Sequence, residues 1–239
     1  NGENVVIRDA DQQPVMTATV PATGSLATLR IEPGATVDLA GNAVSVTTVE
    51  NRGTILAQGG EAVTISGNTG NSINSFDIDS GTVNYTTGHT GALAFGTDYF
   101  DLTVSSGTAL QPNANLNVYN DLRVPGVLDA SATPIDITIG GDFLEPGTGT
   151  FTPGTTVTFQ DPGGGATTTA VSIDPGTGAT FNNVAINDGG GGVSYTLGAP
   201  LTANADLTVT SGTLDLNGTA SPVAGNVTIQ AAGVIDDTA

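Results

Sequence analysis

Asp121-Leu122-Arg123-Val124-Pro125-Gly126-Val127-Leu128-Asp129 is two short alternating strands joined at a glycine. Leu122 and Val124 lie two apart, the period that turns both side chains to one face of a strand. Pro125-Gly126 then bends the chain before Val127 and Leu128 start again. The same order returns about 85 residues later as Asp206-Leu207-Thr208-Val209-Thr210-Ser211-Gly212-Thr213-Leu214-Asp215. So small a unit cannot bury its own apolar face and has to stack on its neighbours.

Residues 26–66 show the shorter step inside this pattern. Leu29, Ile31, Val37, Leu39, Val44 and Val46 are followed in similar order by Val49, Ile55, Val63 and Ile65, with Gly34 and Gly41 answered by Gly53 and Gly60. The step is about 19 residues, one coil of a β-solenoid with two or three strands per turn. Apolar residues two apart recur down the chain, from Val83/Tyr85, Leu102/Val104 and Leu116/Val118 to Ile137/Ile139, Val157/Phe159, Val184/Ile186 and Val227/Ile229. The fold class is therefore all-β, a parallel β-helix. Tandem β-sandwiches are the alternative, but they use longer strands, hairpin turns and bulkier core aromatics. Residues 1–239 are expected to form one solenoid domain, with 1–25 as a terminal or exchanged strand segment and 80–154 and 155–239 as two related long repeats. A dozen coils at about 4.8 Å each would span roughly 55 Å. A mixed reading stands beside it, in which residues 140–170, with the loop compositions Glu145-Pro146-Gly147-Thr148-Gly149-Thr150 and Pro162-Gly163-Gly164-Gly165, bulge from the stack.

Composition excludes several function classes. The chain of 239 residues carries 23 acidic and 4 basic residues, a formal charge of −19, and all four basic residues are arginines: Arg8, Arg30, Arg52 and Arg123. Such a polyanion is repelled by nucleic acid and by anionic membrane surfaces, and it attracts divalent cations. No apolar stretch is long enough to span a bilayer, so no membrane insertion is expected. Cysteine is absent, which rules out a disulfide framework. Charged residues are only 11%, so Thr, Ser, Asn and Gly make most of the surface, a profile suited to an extracellular or cell-surface location. The sequence opens almost directly in a strand at Asn4-Val5-Val6-Ile7 and closes soon after Val234-Ile235, as a part cut from a longer precursor would.

The segments Ser80-Gly81-Thr82-Val83-Asn84-Tyr85, Phe100-Asp101-Leu102-Thr103-Val104, Gly126-Val127-Leu128-Asp129, Ile137-Thr138-Ile139-Gly140-Gly141-Asp142-Phe143 and Phe151-Thr152-Pro153-Gly154 resemble a repeat of large secreted bacterial surface proteins. The wider class is the right-handed parallel β-helix of filamentous-haemagglutinin-like adhesins and autotransporter passengers. The resemblance covers roughly residues 26–239 as a style of repeat. It implies a rod that displays or builds something outside the cell, and it carries over no catalytic residue.

Catalysis has little to work with. The single histidine, His89 in Thr87-Gly88-His89-Thr90-Gly91, reads as an exposed turn. Carboxylate pairs of the kind that cleave polysaccharides are Asp77/Asp79, Asp98/Asp101, Asp129/Asp136 and Asp142/Glu145. Arg123 alone could assist them, and it lies among ordinary strand residues; solvated acidic surface is the plainer reading. No cofactor is required, although calcium suits so acidic a rod. Asp9, Asp11, Asp236 and Asp237 are the candidate ligands, at the two ends where adjoining subunits could complete a shell. Arg8, Arg30 and Arg52 recur every 22 residues while the apolar register steps by about 19, so they are not expected to form a ladder.

The expected function is non-enzymatic: an extracellular structural rod that self-associates head to tail into a filament, layer or adhesin stalk, with strand exchange through residues 1–20. A glycan- or receptor-binding adhesin module is the alternative, and a polysaccharide lyase or hydrolase the remaining one.

Overall fold

The computed structural model describes residues 2–9, 14–19, 25–57, 61–67, 75–77, 81–86, 90–91, 97–131, 134–160, 170–177, 179–189 and 192–237. Every strand pair among them is parallel. That observation removes the sandwich alternative, which needs antiparallel hairpins. The chain is a β-solenoid of about 9 turns, a column of roughly 45 Å at the usual strand spacing.

The strands stack like on like. One ladder runs Val44, Val63, Val83, Leu102, Leu122, Phe143, Ile173 and Leu197, each residue pairing with the next one coil on. Two rows of a second ladder run Leu116, Ile137, Val157, Val184, Leu207, Val227 and Val118, Ile139, Phe159, Ile186, Val209, Ile229. Except in the last coil, these side chains fill the bore and are almost wholly inaccessible. Two shorter sheets complete the wall: Thr36–Asp38, Thr54–Leu56 and Ser75–Asp77; and Thr90–Gly91, Ala109–Leu110, Val127–Asp129 and Thr150–Thr152. Midway along the rod Phe143, Phe151, Phe159, Phe181 and Tyr195 converge, with ring centroids 5.0 to 6.5 Å apart. Five of the aromatics are thus gathered midway along the bore, while Tyr85 and Tyr99 are buried together in earlier coils.

Four expectations are amended by the register. There are about 9 turns and not a dozen, because coils are unequal: the ladder steps from Leu102 to Leu122, but from Phe143 to Ile173 and then to Leu197. Residues 140–160 do not bulge; Phe143–Leu144, Thr150–Thr152 and Thr156–Phe159 are rungs of the wall, and only 161–169 lies outside the described residues. Gly53 stacks on Ala35 and not on Gly34, since Thr54 pairs with Thr36. A Cβ on Gly53 would strike the Ala35 carbonyl of the coil before, whereas Gly34 and Gly41 turn the chain with φ of 83° and 82°. Lastly, Leu122 stacks between Leu102 and Phe143, whereas Leu207 stacks between Val184 and Val227. The sequence echo that joins them is one of local unit, with the two copies on different ladders.

Glu145–Thr150 shows why a loop composition can be a wall corner. Glu145 is buried, and its Oε1 accepts hydrogen bonds from the Gly147 and Gly149 backbone N–H groups at 3.0 and 2.9 Å. Asp188, also buried, closes the next long corner by accepting from Gly192 and Val193 at 2.6 and 2.8 Å.

Candidate self-association surfaces

A solenoid has two end faces at which the ladder stops, and strand edges left there are templates for pairing. At one end Asn4–Ile7 lies parallel on Leu26–Ile31 of its own chain. Its outer edge has no strand partner among the described residues. The short segment Pro14-Val15-Met16 docks on the strand Thr36–Asp38, with the Met16 N–H donating to the Asp38 carbonyl at 2.8 Å. Between these pieces the bore opens into an apolar cavity of about 110 Å³, lined by Val5, Ile7, Val15, Met16, Leu29 and Leu39 with neighbouring apolar residues. Arg8 and Asp9, both exposed, stand directly after Ile7.

At the other end the strand Val227–Asp236 pairs with Leu207–Asp215 alone among the described residues. Val227 and Ile229 stack on Leu207 and Val209 in the inward register, yet both are 52% exposed, whereas Val234, 50% exposed, stacks on the outward-facing Thr213. Covering them would contribute about 1 kcal/mol each, half the value for full burial of an aliphatic side chain. Asp236 and Asp237 border this row.

Along the side of the rod runs an acidic seam. Asp101 Oδ1 accepts the Asp121 N–H at 3.0 Å, Asp121 Oδ1 accepts the Asp142 N–H at 3.0 Å, and Asp142 Oδ1 accepts the Ser172 N–H at 2.8 Å. Each carboxylate satisfies the backbone of the coil above it at a corner where the strand ladder is interrupted. A second row works alike: Asn115 accepts from Asp136, Asn183 from Asp206, and Asp206 from Asn226. Gly141 and Gly225 stand where a Cβ would press on Asp121 Oδ1 and Asp206 Oδ1. Burial pushes the Asp121 carboxyl above its ordinary 3.8, and the like charges of Asp101 and Asp142 push the same way against the Asp142 N–H and Arg123. Hydrogen bonds from Ser131, side chain and backbone, hold Asp129 below 3.8. The sequence reading missed this seam. Its signal is an Asp or Asn directly before a strand's first apolar residue at coil spacing: Asp101-Leu102, Asp121-Leu122, Asp142-Phe143, then Asn183-Val184, Asp206-Leu207, Asn226-Val227.

The residues singled out from sequence fall as follows. Asp9 lies beside Gly34, at the first end; Asp11 is outside the described residues. Asp236 and Asp237 are at the other end, where Asp237 Oδ1 accepts the Gly218 N–H at 3.0 Å and Asp236 Oδ1 accepts the Asp237 N–H at 2.8 Å. One chain therefore holds Asp9 at the opposite end from Asp236 and Asp237, and among the described residues no three His, Cys, Asp or Glu side chains group as metal ligands do. Asp79 and His89 are outside the described residues, and Asp77 lies in the strand Ser75–Asp77. Asp98 accepts from Asn117 and Thr97, both at 2.7 Å, and Asp101 from Thr82 and Asn120 at 3.1 and 2.8 Å. These carboxylates tie coils together. The arginines alternate with glutamates: Arg30 sits 3.9 Å from Glu50, while the ladder continues through the Glu32 and Arg52 N–H groups to place Arg8, Glu32 and Arg52 in one row.

By its fold the chain is a parallel β-solenoid. No family model matches it, and comparison with curated proteins and with solved structures finds no match.

Proposed function

We propose that this chain is a non-enzymatic, extracellular structural module: a β-solenoid rod that associates through its ends into a cell-surface filament, layer or adhesin stalk. The observation that carries the reading is the last coil, where Val227 and Ile229 keep the inward register of the bore and stand half exposed beside a strand edge that has no partner among the described residues. A continuous apolar bore and parallel ladders supply stiffness along the axis. The style of repeat, similar to that of filamentous-haemagglutinin-like adhesins, supports the same setting. The acidic side chains support a mechanical role, since those with bonds described above hold corners and seams. Calcium enters as a ligand shared between ends, through Asp9 and Asp11 of one copy and Asp236 and Asp237 of the next.

Sedimentation over a concentration series, with electron microscopy, tests the reading. End-to-end oligomers that lengthen with concentration are expected, and calcium is expected to favour them over a chelator. Monomers alone at high concentration, with and without calcium, would overturn it.

A further inference from the structure

The two ends differ in shape and in charge. The first carries a socket, the apolar cavity of about 110 Å³ at the mouth of the bore, smaller than the 150 Å³ that admits a benzene ring and suited to an aliphatic side chain. The second carries two projecting aliphatics at the end of the bore, Val227 and Ile229. Arg8 follows the socket residue Ile7, and Asp236 and Asp237 follow the projecting row. Three of the four arginines lie within residues 8–52, and beyond Arg123 the chain has no basic residue at all. Two C-terminal ends brought together would oppose acid to acid with nothing to fill a cavity. Two N-terminal ends would leave both sockets empty.

We propose that the partner of each end is the opposite end of a second copy of this chain: Val227 and Ile229 seat on the N-terminal socket, with Arg8 facing Asp236 and Asp237. This rests on the end-association reading above and gives it a direction. The contact is heterologous, so it propagates into open filaments and does not close into dimers.

Blocking one end at a time tests it. Arg8→Asp with Val15→Asp disables the socket, and Val227→Asp with Ile229→Asp disables the projecting row; all four positions are exposed, so the fold, checked by circular dichroism, is kept. Each blocked protein alone is expected to stay monomeric, with the dissociation constant raised about tenfold or more. An equimolar mixture is expected to form heterodimers and nothing longer, because each partner contributes its one intact end. A blocked protein that dimerises with itself would overturn the proposal while leaving end association standing. Wild type that fails to associate would instead remove the association itself. A charge exchange supplies a second arm that spares the apolar residues. Arg8→Asp alone weakens assembly about tenfold, and adding Asp237→Arg to the same chain restores it. No restoration would refute the facing of Arg8 with the C-terminal acids.

Discussion

Replacing Gly126 with alanine separates stacked coils from any arrangement in which this glycine is merely a turn residue. Its φ lies outside the left-handed range, so local conformation permits alanine. Loss of unfolded-state freedom would then stabilise the protein by about 0.4–1 kcal/mol. The structure reverses that sign. A Cβ at this position would strike the carbonyl oxygens of Ser105 and Thr108, which belong to the coil before and are backbone atoms that cannot rotate away. Relief requires the two coils to separate, straining the bonds from Gly126 N–H to the Val104 carbonyl and from Val127 N–H to the Thr108 carbonyl, both 2.8 Å. Each contributes about 0.5–1.5 kcal/mol, and overpacking adds about 1–3 kcal/mol. The expected net effect is a loss of about 3 kcal/mol. In urea unfolding followed by circular dichroism this is a fall in midpoint of about 1 M. Gly41→Ala is the comparison: nothing lies within 4 Å of its Cβ and only its φ of 82° is strained, for a loss of about 1–2 kcal/mol. If Gly126→Ala were neutral or stabilising, the coil above Ser105 would not be where the structure puts it.

Asp121→Asn is expected to raise the unfolding midpoint at pH 7. The folded-state pKa of Asp121 is raised, so its contribution is favourable below 3.8 and is lost as pH rises through the folded value; the wild-type and variant curves should therefore converge in acid, and a variant less stable at pH 7 would contradict this. Asp129→Ala should behave oppositely. Its pKa is lowered, so it adds stability above 3.8 that disappears as pH falls through the folded value, and a wild-type advantage unchanged down to the most acid point would contradict the Ser131 bonds. Phe143→Ala removes a fully buried ring packed on Phe151, Phe159 and Phe181. It should cost about 3–5 kcal/mol by denaturant titration, against less than about 1 kcal/mol for Val227→Ala on the exposed last coil.

The fold was legible because two periods coincide in the sequence. Val44/Val46, Val63/Ile65 and Val83/Tyr85 show the strand period of two, and they recur at the interval of one coil, which is the register found. What was not legible depends on neighbours one coil away. Gly53 and Gly126 look like turn residues, and only the carbonyls stacked beneath them reveal why no larger residue fits. The coil count failed because coils differ in length while the local strand pattern stays the same, as the unequal steps from Leu102 to Leu122, Phe143 to Ile173 and Ile173 to Leu197 show. Asp101 and Asp142 were read as possible reactive pairs with nearer acids, Asp98 and Glu145, and Asp121 drew no notice. Their hydrogen bonds run instead to the backbone about 20 to 30 residues ahead. The ends could not be graded from sequence, since Val227 and Ile229 follow the same alternation as buried Leu207 and Val209.

Distances between spin labels along the rod test the column most directly, and a chain without cysteine accepts labels at chosen sites alone. Ser45, Thr64, Asn84, Thr103 and Arg123 occupy successive rungs of one row, and Asn117, Thr138, Thr158, Ala185, Thr208 and Thr228 those of another. Four rungs from Ser45 to Arg123 predict about 19 Å, and five from Asn117 to Thr228 about 24 Å, at about 4.8 Å per rung. Separations that rise by one rung spacing with each coil would support a single continuous stack. Separations that ignore rung number, or that fold back so that distant rungs lie close, would contradict it.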